Sequence, residues 1–165
     1  MKILDADLKR LAARVGARLL SSEHSVATAE SCTGGWVAKA LTDVAGSSQW
    51  FFEGFVTYGN EAKVRRLGVP RSVLVADGAV SEATARAMAI GALTLTEAQV
   101  AVAVTGIAGP GGAVPGKPVG TVWLAWAERR GRRIRVRVLR KHFRGSRDAV
   151  RRKTVQAALR GLLTG

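Results

Sequence analysis

The sequence predicts a single α/β domain in which helices cover a mixed parallel and antiparallel sheet. Amphipathic helical segments alternate along the chain with short apolar segments, which is the pattern of this fold class. Residues 100–104 are a continuous run of valine and alanine, typical of a strand buried on both faces. Residues 133–138 alternate strictly between arginine and an aliphatic residue, typical of an antiparallel strand with one face in solvent.

Hydrophobic periodicity and capping residues predict the elements of the first half of the chain. Apolar residues from Leu8 to Leu19 recur at helical spacing, so Asp5–Ser21 is predicted to be an amphipathic helix. The same criteria predict a short buried strand over Ser25–Glu30, a helix over Thr33–Thr42, a strand over Gly54–Tyr58, and a helix that Asn60 caps and that runs through Leu67.

The second half is predicted to contain two helices, three strands and a last helix. In chain order these are a short helix over Pro70–Val75, a helix from Ser81 to about Thr96, a strand over Gln99–Thr105, a loop over 106–118, a strand over Val119–Ala127, a hairpin turn over Glu128–Gly131, a strand over Arg133–Phe143, and a helix from Ser146 or Asp148 to about Leu163. Because no linker or internal repeat interrupts this order, residues 1–165 are expected to form one domain.

Composition excludes several classes of protein and of site. A chain of 165 residues that is 47% hydrophobic suits one globular domain. No apolar run is long enough to span a bilayer, and the first residues lack the apolar core of a signal peptide, so we expect a cytoplasmic protein. Cys32 is the only cysteine, which excludes an internal disulfide and a cysteine-rich zinc site. With only two histidines, no metal is expected.

The formal net charge of +14 raises the question of a nucleic-acid partner. Much of the excess lies between Arg129 and Lys153, and no recognised nucleic-acid motif accompanies it. A solvated arginine-rich face is therefore favoured over a nucleic-acid site. The same positive field would also attract a small phosphorylated ligand.

The segment Ala27–Trp36 is predicted to run from a strand through a tight turn into a helix. It places Ser31, Cys32 and Thr33 where free backbone N–H groups and the helix dipole favour negative charge. A nucleophile or a bound anion could use that position. Ser31 or Thr33 could equally serve only to cap the helix.

A second candidate is the glycine-rich loop that begins at Thr105-Gly106 and continues to Gly112. If the strands before Ser31 and Thr105 are parallel neighbours, the two loops meet at the carboxyl ends of the strands, where α/β proteins bind ligands. Glycine backbones can approach a phosphate closely, but the loop matches no established phosphate-binding motif and could be a plain connection.

A serine hydrolase needs a base, and the sequence offers no suitable histidine. Lys63 is a candidate because burial can lower the pKa of a lysine enough for it to act as a base. The alternative is an ordinary surface lysine. Tyr58, at a predicted strand end, could assist this base or could be a buried ring with a satisfied hydroxyl.

Seven motifs together resemble the CinA C-terminal domain family, over about Leu8 to Leu163. They are Ala29–Gly35, Gly46-Ser47-Ser48, Val56–Lys63, Gly78–Ser81, Thr105–Pro110, Lys117–Val122 and Arg147–Arg151. Two positions depart from the usual family pattern, Gly59 where serine is frequent and Ser146 where aspartate is frequent. Neither position is one to which the resemblance assigns a function.

The resemblance implies a stand-alone member of the family, of the PncC type. Such proteins hydrolyse the carboxamide of nicotinamide mononucleotide to nicotinate mononucleotide and ammonia, in pyridine-nucleotide salvage. The resemblance implies no cofactor or metal, a small-molecule nucleotide as partner, no membrane, no nucleic acid and a homo-oligomer. The alternative is a competence- or damage-inducible basic module that binds nucleic acid or a protein partner without amidase activity.

The resemblance also implies which residues form the site. The catalytic candidates are Ser31, Ser48, Tyr58 and Lys63, and the substrate-binding candidates are Glu30, Thr33, Gly34, Asn60, Thr105, Gly106, Gly109 and Arg147. A serine would attack the carboxamide, Lys63 would take its proton, and Tyr58 would relay or orient that proton. Ser31 is favoured over Ser48 because it follows a strand and precedes a helix. Cys32 is expected to be a buried structural thiol.

Overall fold

The computed structural model describes residues 3–164, which form six α-helices and five strands. The helices are α1 (Asp5–Ser21), α2 (Trp36–Thr42), α3 (Asn60–Leu67), α4 (Arg71–Ala76), α5 (Glu82–Thr94) and α6 (Arg147–Gly161). The strands are β1 (Val26–Glu30), β2 (Phe51–Val56), β3 (Val100–Gly106), β4 (Thr121–Arg130) and β5 (Arg133–His142), and a short 3-10 helix covers Ser47–Gln49. Within residues 3–164, no helix combines the length and apolar character that crossing a bilayer requires.

The five strands form one mixed sheet in the order β2-β1-β3-β4-β5. Strand β1 pairs in parallel with both β2 and β3, whereas β4 runs antiparallel to β3 and to β5. This arrangement confirms the predicted α/β class with a mixed sheet. It also confirms that the strands before Ser31 and Thr105 are parallel neighbours, so the loops after them lie at the same end of the sheet.

Helices cover both faces of the sheet, and the residue sizes on the two faces differ. Helices α1, α2 and α6 pack on a face that includes Val26, Val102, Val104 and Leu124. Helix α5, with α3 and α4 beside it, packs on the other face, where β1, β3 and β4 present alanines. Because strand side chains alternate between faces, the Val-Ala repeat of β3 supplies a larger residue to one layer and a smaller one to the other.

The small residues of this second layer allow close packing between helices. At Gly91 of α5, an added Cβ atom would lie 2.0 Å from the carbonyl oxygen of Leu67, the last residue of α3. Only glycine therefore fits at this crossing. The contact fixes the C-terminal end of α3, the helix that carries Lys63.

Two boundaries near the candidate site differ from the prediction. Helix α2 begins at Trp36 rather than Thr33, because Gly34 and Gly35 adopt φ values of +61° and +96° that end a turn instead of starting a helix. Helix α3 includes Asn60 as its first residue, and Gly59 rather than Asn60 occupies the capping position, so the predicted cap is wrong by one residue.

Two strand boundaries are also corrected. Strand β2 covers Phe51–Val56 rather than Gly54–Tyr58, because the aromatic run itself pairs with β1 starting from Val26. The β4–β5 hairpin turns at residues 131–132 rather than over Glu128–Gly131, since the strands stay paired as far as Arg130 and Arg133. Ser81 and Ser146 cap α5 and α6, and the predicted starts of those helices are confirmed.

Candidate active site

Ser31 follows β1 directly and is held by the backbone on both sides. Its N–H donates to the carbonyl of Val104 on β3 at 3.0 Å, and its own carbonyl accepts from the N–H of Gly34 at 3.0 Å. The side chain is only 8% exposed. Its hydroxyl is therefore presented from a tight turn at the end of a central strand, with little freedom to move.

Lys63 reaches Ser31 from α3 and is 1% exposed. Its Nζ lies 3.0 Å from Ser31 Oγ, 2.9 Å from the carbonyl oxygen of Thr57 and 3.0 Å from that of Tyr58. Burial lowers the pKa of Lys63 from its ordinary value. Nζ donates to all three oxygens, which uses the three N–H groups of a charged lysine, and the Ser31 hydroxyl in turn faces the carbonyl of Tyr58 at 3.5 Å. An amine that has lost one proton and keeps both carbonyl contacts would direct its lone pair at the Ser31 hydroxyl.

Glu30, the last residue of β1, is buried and bonded to the turn that follows it. Its carboxylate accepts from Thr33 Oγ1 at 2.6 Å and from the backbone N–H groups of Val37 and Ala38 at 2.7 and 3.0 Å. Burial raises the pKa of Glu30, and these hydrogen bonds oppose the rise. Glu30 therefore holds the turn around Ser31 in place and occupies the first-turn amides of α2 that could otherwise bind an anion.

Tyr58 contributes two different groups to this region. Its carbonyl accepts from Lys63, but its side chain is 56% exposed and its hydroxyl accepts from Arg147 at 2.8 Å. The other terminal nitrogen of Arg147 donates to the carbonyl of Gly109 at 2.7 Å. The structure thus places the Tyr58 hydroxyl with Arg147, and the guanidinium joins the β2–α3 loop to the glycine-rich loop.

The remaining predicted binding residues surround the same end of the sheet. Thr105 is buried, and its hydroxyl donates to the carbonyl of Ala79 at 2.7 Å. Gly106 ends β3, and Gly109 follows in the loop with a φ of +82°. Asn60 is exposed at the start of α3, three residues before the buried Lys63.

Ser48 is not brought to Lys63 within one chain. It is exposed in the 3-10 helix that precedes β2, whereas Ser31 follows the last residue of β1. The parallel register pairs Val26 with Phe51 and Glu30 with Val56, so the two serines lie at opposite ends of the sheet. At about 3.3 Å per strand residue, they are separated by roughly 15–20 Å.

Arg151 contacts the turn that follows β1, although the sequence did not predict it to be a site residue. Its side chain donates to the carbonyls of Cys32 and Thr33 at 3.1 and 2.9 Å, and its guanidinium lies 5.3 Å from the ring centre of Trp36. Its position in the sequence could have predicted this contact, because Arg151 lies four residues after Arg147 and therefore on the same face of the helix. Cys32 itself is buried, and burial raises the pKa of its thiol to about 12.

Among residues 3–164, no group of three or more His, Cys, Asp or Glu side chains is arranged to hold a metal ion. The side chains that meet at this end of the sheet are instead a serine, a buried lysine and two arginines. Such a set can activate a nucleophile and attract an anion.

Comparisons with known proteins agree with this fold and identify its family. The model of the CinA C-terminal domain family matches residues 8–164. A "Nicotinamide-nucleotide amidohydrolase PncC" of Escherichia coli K12 is 52% identical over 96% of this chain and 94% of its own length, and that of Pseudomonas putida is 54% identical over 93% of each. The crystal structure of competence/damage inducible protein CihA from Agrobacterium tumefaciens has a TM-score of 0.91 and 45% identity over 99% of this chain and 98% of that one. The chain therefore belongs to the CinA C-terminal domain family.

Proposed function

We propose that this chain is an amidohydrolase that converts nicotinamide mononucleotide into nicotinate mononucleotide and ammonia. The observation that carries the proposal is the buried contact between Lys63 Nζ and Ser31 Oγ, 3.0 Å apart, beside the loops where α/β proteins bind ligands. The substrate is inferred from the relatives named nicotinamide-nucleotide amidohydrolase, which match nearly the whole chain.

In the first half of the reaction, Lys63 accepts the proton of the Ser31 hydroxyl as the oxygen attacks the carboxamide carbon. The tetrahedral intermediate then collapses, and the C–N bond breaks as Lys63 returns the proton to the leaving nitrogen. Ammonia departs, and the nicotinoyl group remains as an ester on Ser31.

In the second half, a water molecule takes the place of ammonia and gives its proton to Lys63. The resulting hydroxide attacks the ester carbon, and the ester C–O bond to Ser31 breaks. Lys63 returns the proton to Ser31 Oγ, which regenerates the free enzyme. No step requires an oxidant, a reductant or a cofactor.

The developing oxyanion needs backbone donors close to Ser31. The amides of Val37 and Ala38 are already bonded to Glu30, so the start of α2 is not available for this role. We assign the role to the N–H groups of Cys32 and Thr33, which follow the nucleophile in the turn. Their positions are fixed because Arg151 holds the carbonyls of the same two residues.

The nucleotide phosphate is assigned to Arg147 and the glycine-rich loop. The Arg147 guanidinium is already positioned between Tyr58 and Gly109, at the same end of the sheet as Ser31. Gly106 would contact the ribose or the ring, since it ends the strand next to β1, whereas the buried Thr105 hydroxyl is already bonded to Ala79 and would hold the neighbouring loop in place. The proposal includes a homo-oligomer built from single-domain subunits.

The direct test is ammonia release from nicotinamide mononucleotide, measured beside nicotinamide, its riboside and the dinucleotide NAD. We expect the mononucleotide to be the preferred substrate and Ser31→Ala to abolish its hydrolysis. Ammonia release that is unchanged in Ser31→Ala would overturn the assignment of the nucleophile. No release from any of the four compounds would overturn the function.

A further inference from the structure

A basic groove lies between β5 and α6, away from the site around Ser31. One cavity of about 640 Å³ is bounded by the second half of β5, the residues that follow it and one face of α6. A second cavity of about 480 Å³ adjoins it, because Trp126 and Arg137 line both, and Glu128 in this smaller cavity is paired with Arg130 at 3.0 Å. In the order β2-β1-β3-β4-β5, two strands separate β5 from the strand that leads to Ser31.

Positive charge lines both walls of the larger cavity. The odd-numbered residues of β5 face α6, since Ile134, Val136 and Val138 pack in the opposite layer around α5. The cations that line the cavity are Arg137 and Lys141 of β5, Arg144 after it, and Lys153 and Arg160 of α6. No described residue of this lining is acidic. The ion pairs formed among residues 3–164 involve other lysines and arginines, so no carboxylate there neutralises these five charges.

The environment of Arg137 shows that this positive charge is crowded. Its guanidinium lies 4.1 Å from the centre of the Trp126 ring and donates to the carbonyl of Gly161 at 2.9 Å. Burial and the nearby charge of Arg135 lower the pKa of Arg137. A bound anion would relieve this repulsion, and a guanidinium that uses one or two of its N–H groups keeps others for a phosphate.

The lining between these charges is apolar. Leu139 separates Arg137 from Lys141 on this face of β5 and is 38% exposed, and Phe143, partly buried, follows directly after the strand. Proteins that bind single-stranded nucleic acid without sequence preference combine a basic groove with side chains on which the bases stack. Alternate residues of a strand are roughly 7 Å apart, which is close to the distance between successive phosphates of an extended single strand.

A duplex and a peptide fit these features less well. A duplex keeps its bases stacked on one another, so it would leave Leu139 and Phe143 uncovered. An extended peptide docks on a sheet through backbone hydrogen bonds to an edge, whereas the cations here project from the face of β5. A single strand offers one phosphate for each nucleotide together with exposed bases, which matches both the charged walls and the apolar lining.

We propose that the groove between β5 and α6 binds single-stranded nucleic acid without sequence preference, with phosphates on the cations of both walls and bases against Leu139 and Phe143. The arginine-rich surface, which the sequence alone favours as a solvated face, thereby has a ligand of its own. None of the cations on these walls belongs to the site around Ser31, so this binding is independent of the proposed amidase function.

Binding is tested by the fluorescence anisotropy of a labelled deoxythymidine strand titrated with the full chain, with a strand of about 20 nucleotides, longer than the usual binding site. Five phosphate contacts give a slope of about −3.5 for log K against log salt concentration. We therefore expect the affinity to fall roughly a hundred-fold between about 50 and 200 mM salt. No binding at the lower salt concentration, or an affinity that does not change with salt, would overturn the proposal.

Charge reversal on the two walls tests the position of the groove. The double variant Lys141→Glu with Arg160→Glu removes one cation from each wall, so its affinity should fall roughly ten-fold or more at low salt and its slope should shrink to about −2. Arg65→Glu with Arg66→Glu is the matched control, because it changes the net charge equally at exposed positions in the last turn of α3, on the other face of the sheet. The control should bind like wild type.

Equal losses in the two double variants would show that binding follows net charge rather than the groove, and would overturn the proposal. Thermal unfolding checks that both variants are folded. Lys141→Gln with Arg160→Gln removes the same two charges without adding new ones, and it provides the comparison for a reversed variant of low stability.

Competition against the labelled strand identifies the class of partner. Unlabelled single strands of other sequences should displace it as well as deoxythymidine does, because stacking and phosphate contacts do not read sequence. A duplex should displace it less well, and polyglutamate of the same length much less well. Displacement by polyglutamate or by the duplex at the concentration that suffices for a single strand would overturn the proposal, in favour of an acidic protein segment or of duplex.

Discussion

Lys63 Nζ and Ser31 Oγ lie 3.0 Å apart although 32 residues separate them in the chain. The contact is made by two elements that flank β2: the turn after β1 and the helix α3 that follows β2. Two backbone carbonyls fix the direction of the amine, so its orientation does not depend on a bound ligand. This fixed geometry supports the proposed transfer of a proton from Ser31 to Lys63.

Replacing Ser31 or Lys63 should reduce the rate of the reaction strongly and the stability of the fold only slightly. We expect Ser31→Ala and Lys63→Ala each to reduce kcat by several orders of magnitude, within the roughly million-fold limit seen for loss of a catalytic nucleophile. Ammonia release and thermal unfolding, measured on the same preparations, separate the two effects. Near-wild-type turnover in both variants would contradict the mechanism.

The reaction should depend on pH through Lys63. Burial lowers the pKa of Lys63 below its ordinary value of 10.5, so kcat/KM should rise with pH as the amine loses its proton, with a midpoint below 10.5. The unfolded chain keeps this proton to higher pH than the folded chain does. Stability should therefore also rise with pH between the lowered pKa and 10.5, and this contribution should be constant below that window.

Lys63→Arg provides the control for the pH dependence, because a guanidinium does not lose its proton in this range. We expect no ascending limb in the residual activity of this variant. The same limb in wild type and Lys63→Arg would assign the titration to another group.

Arg147 should distinguish substrates by their phosphate. A charge-assisted contact to phosphate contributes about 1.5–3 kcal/mol, so Arg147→Ala should raise the KM for the mononucleotide roughly ten- to hundred-fold. The riboside, which lacks the phosphate, should be little affected. Tyr58→Phe removes a hydrogen bond to Arg147 without removing its charge, and its effect should be smaller.

Steady-state constants for both substrates check this prediction. Arg135→Ala is a suitable control on the exposed face of β5. Equal losses for mononucleotide and riboside would show that Arg147 acts by holding the loops together rather than by binding phosphate.

Glu30 should affect stability as well as turnover. Glu30→Ala leaves the N–H groups of Val37 and Ala38 and the hydroxyl of Thr33 without their acceptor, at a cost of about 1–3 kcal/mol for each buried group that finds no other partner. Glu30→Gln keeps one acceptor oxygen and should be intermediate. Denaturant unfolding measures the order, and wild-type stability in Glu30→Ala would refute the capping role.

Gly91 should not tolerate a side chain. Gly91→Ala places a methyl group 2.0 Å from the Leu67 carbonyl and should destabilise the fold by about 1–3 kcal/mol or more. Gly111→Ala is the matched control, since an added Cβ there meets nothing within 4 Å. Denaturant midpoints of the two variants should differ; equal midpoints would contradict the close helix packing.

The fold was predictable because its strongest signals are local. The Val-Ala run of β3 and the Arg-aliphatic alternation of β5 each follow from the period of a strand. Placing Ser31 at the end of β1 followed from the same reasoning. Local patterns did not predict the register between β1 and β2. The sequence alone does not show that β2 starts in the aromatic run at Phe51, and the position of Ser48 depends on that start.

The contacts of Glu30 and Tyr58 could not be predicted from the sequence either. The family resemblance implies substrate binding for Glu30, but only the three-dimensional turn shows that its carboxylate oxygens accept from the backbone at the start of α2. Likewise, the backbone of Tyr58 rather than its hydroxyl faces Lys63, and this depends on the path of the chain between β2 and α3.

The alternation of valine and alanine along β3 means that the sheet's two faces differ in their tolerance of mutation. On the alanine face, helix and sheet backbones are so close that enlarging a residue forces the layers apart. On the valine face the layers are held apart by larger side chains, and trimming one leaves a cavity. Selection against destabilising substitutions should therefore act differently on the two faces. Next to α5 it should retain small residues, and beneath α1, α2 and α6 it should retain large ones.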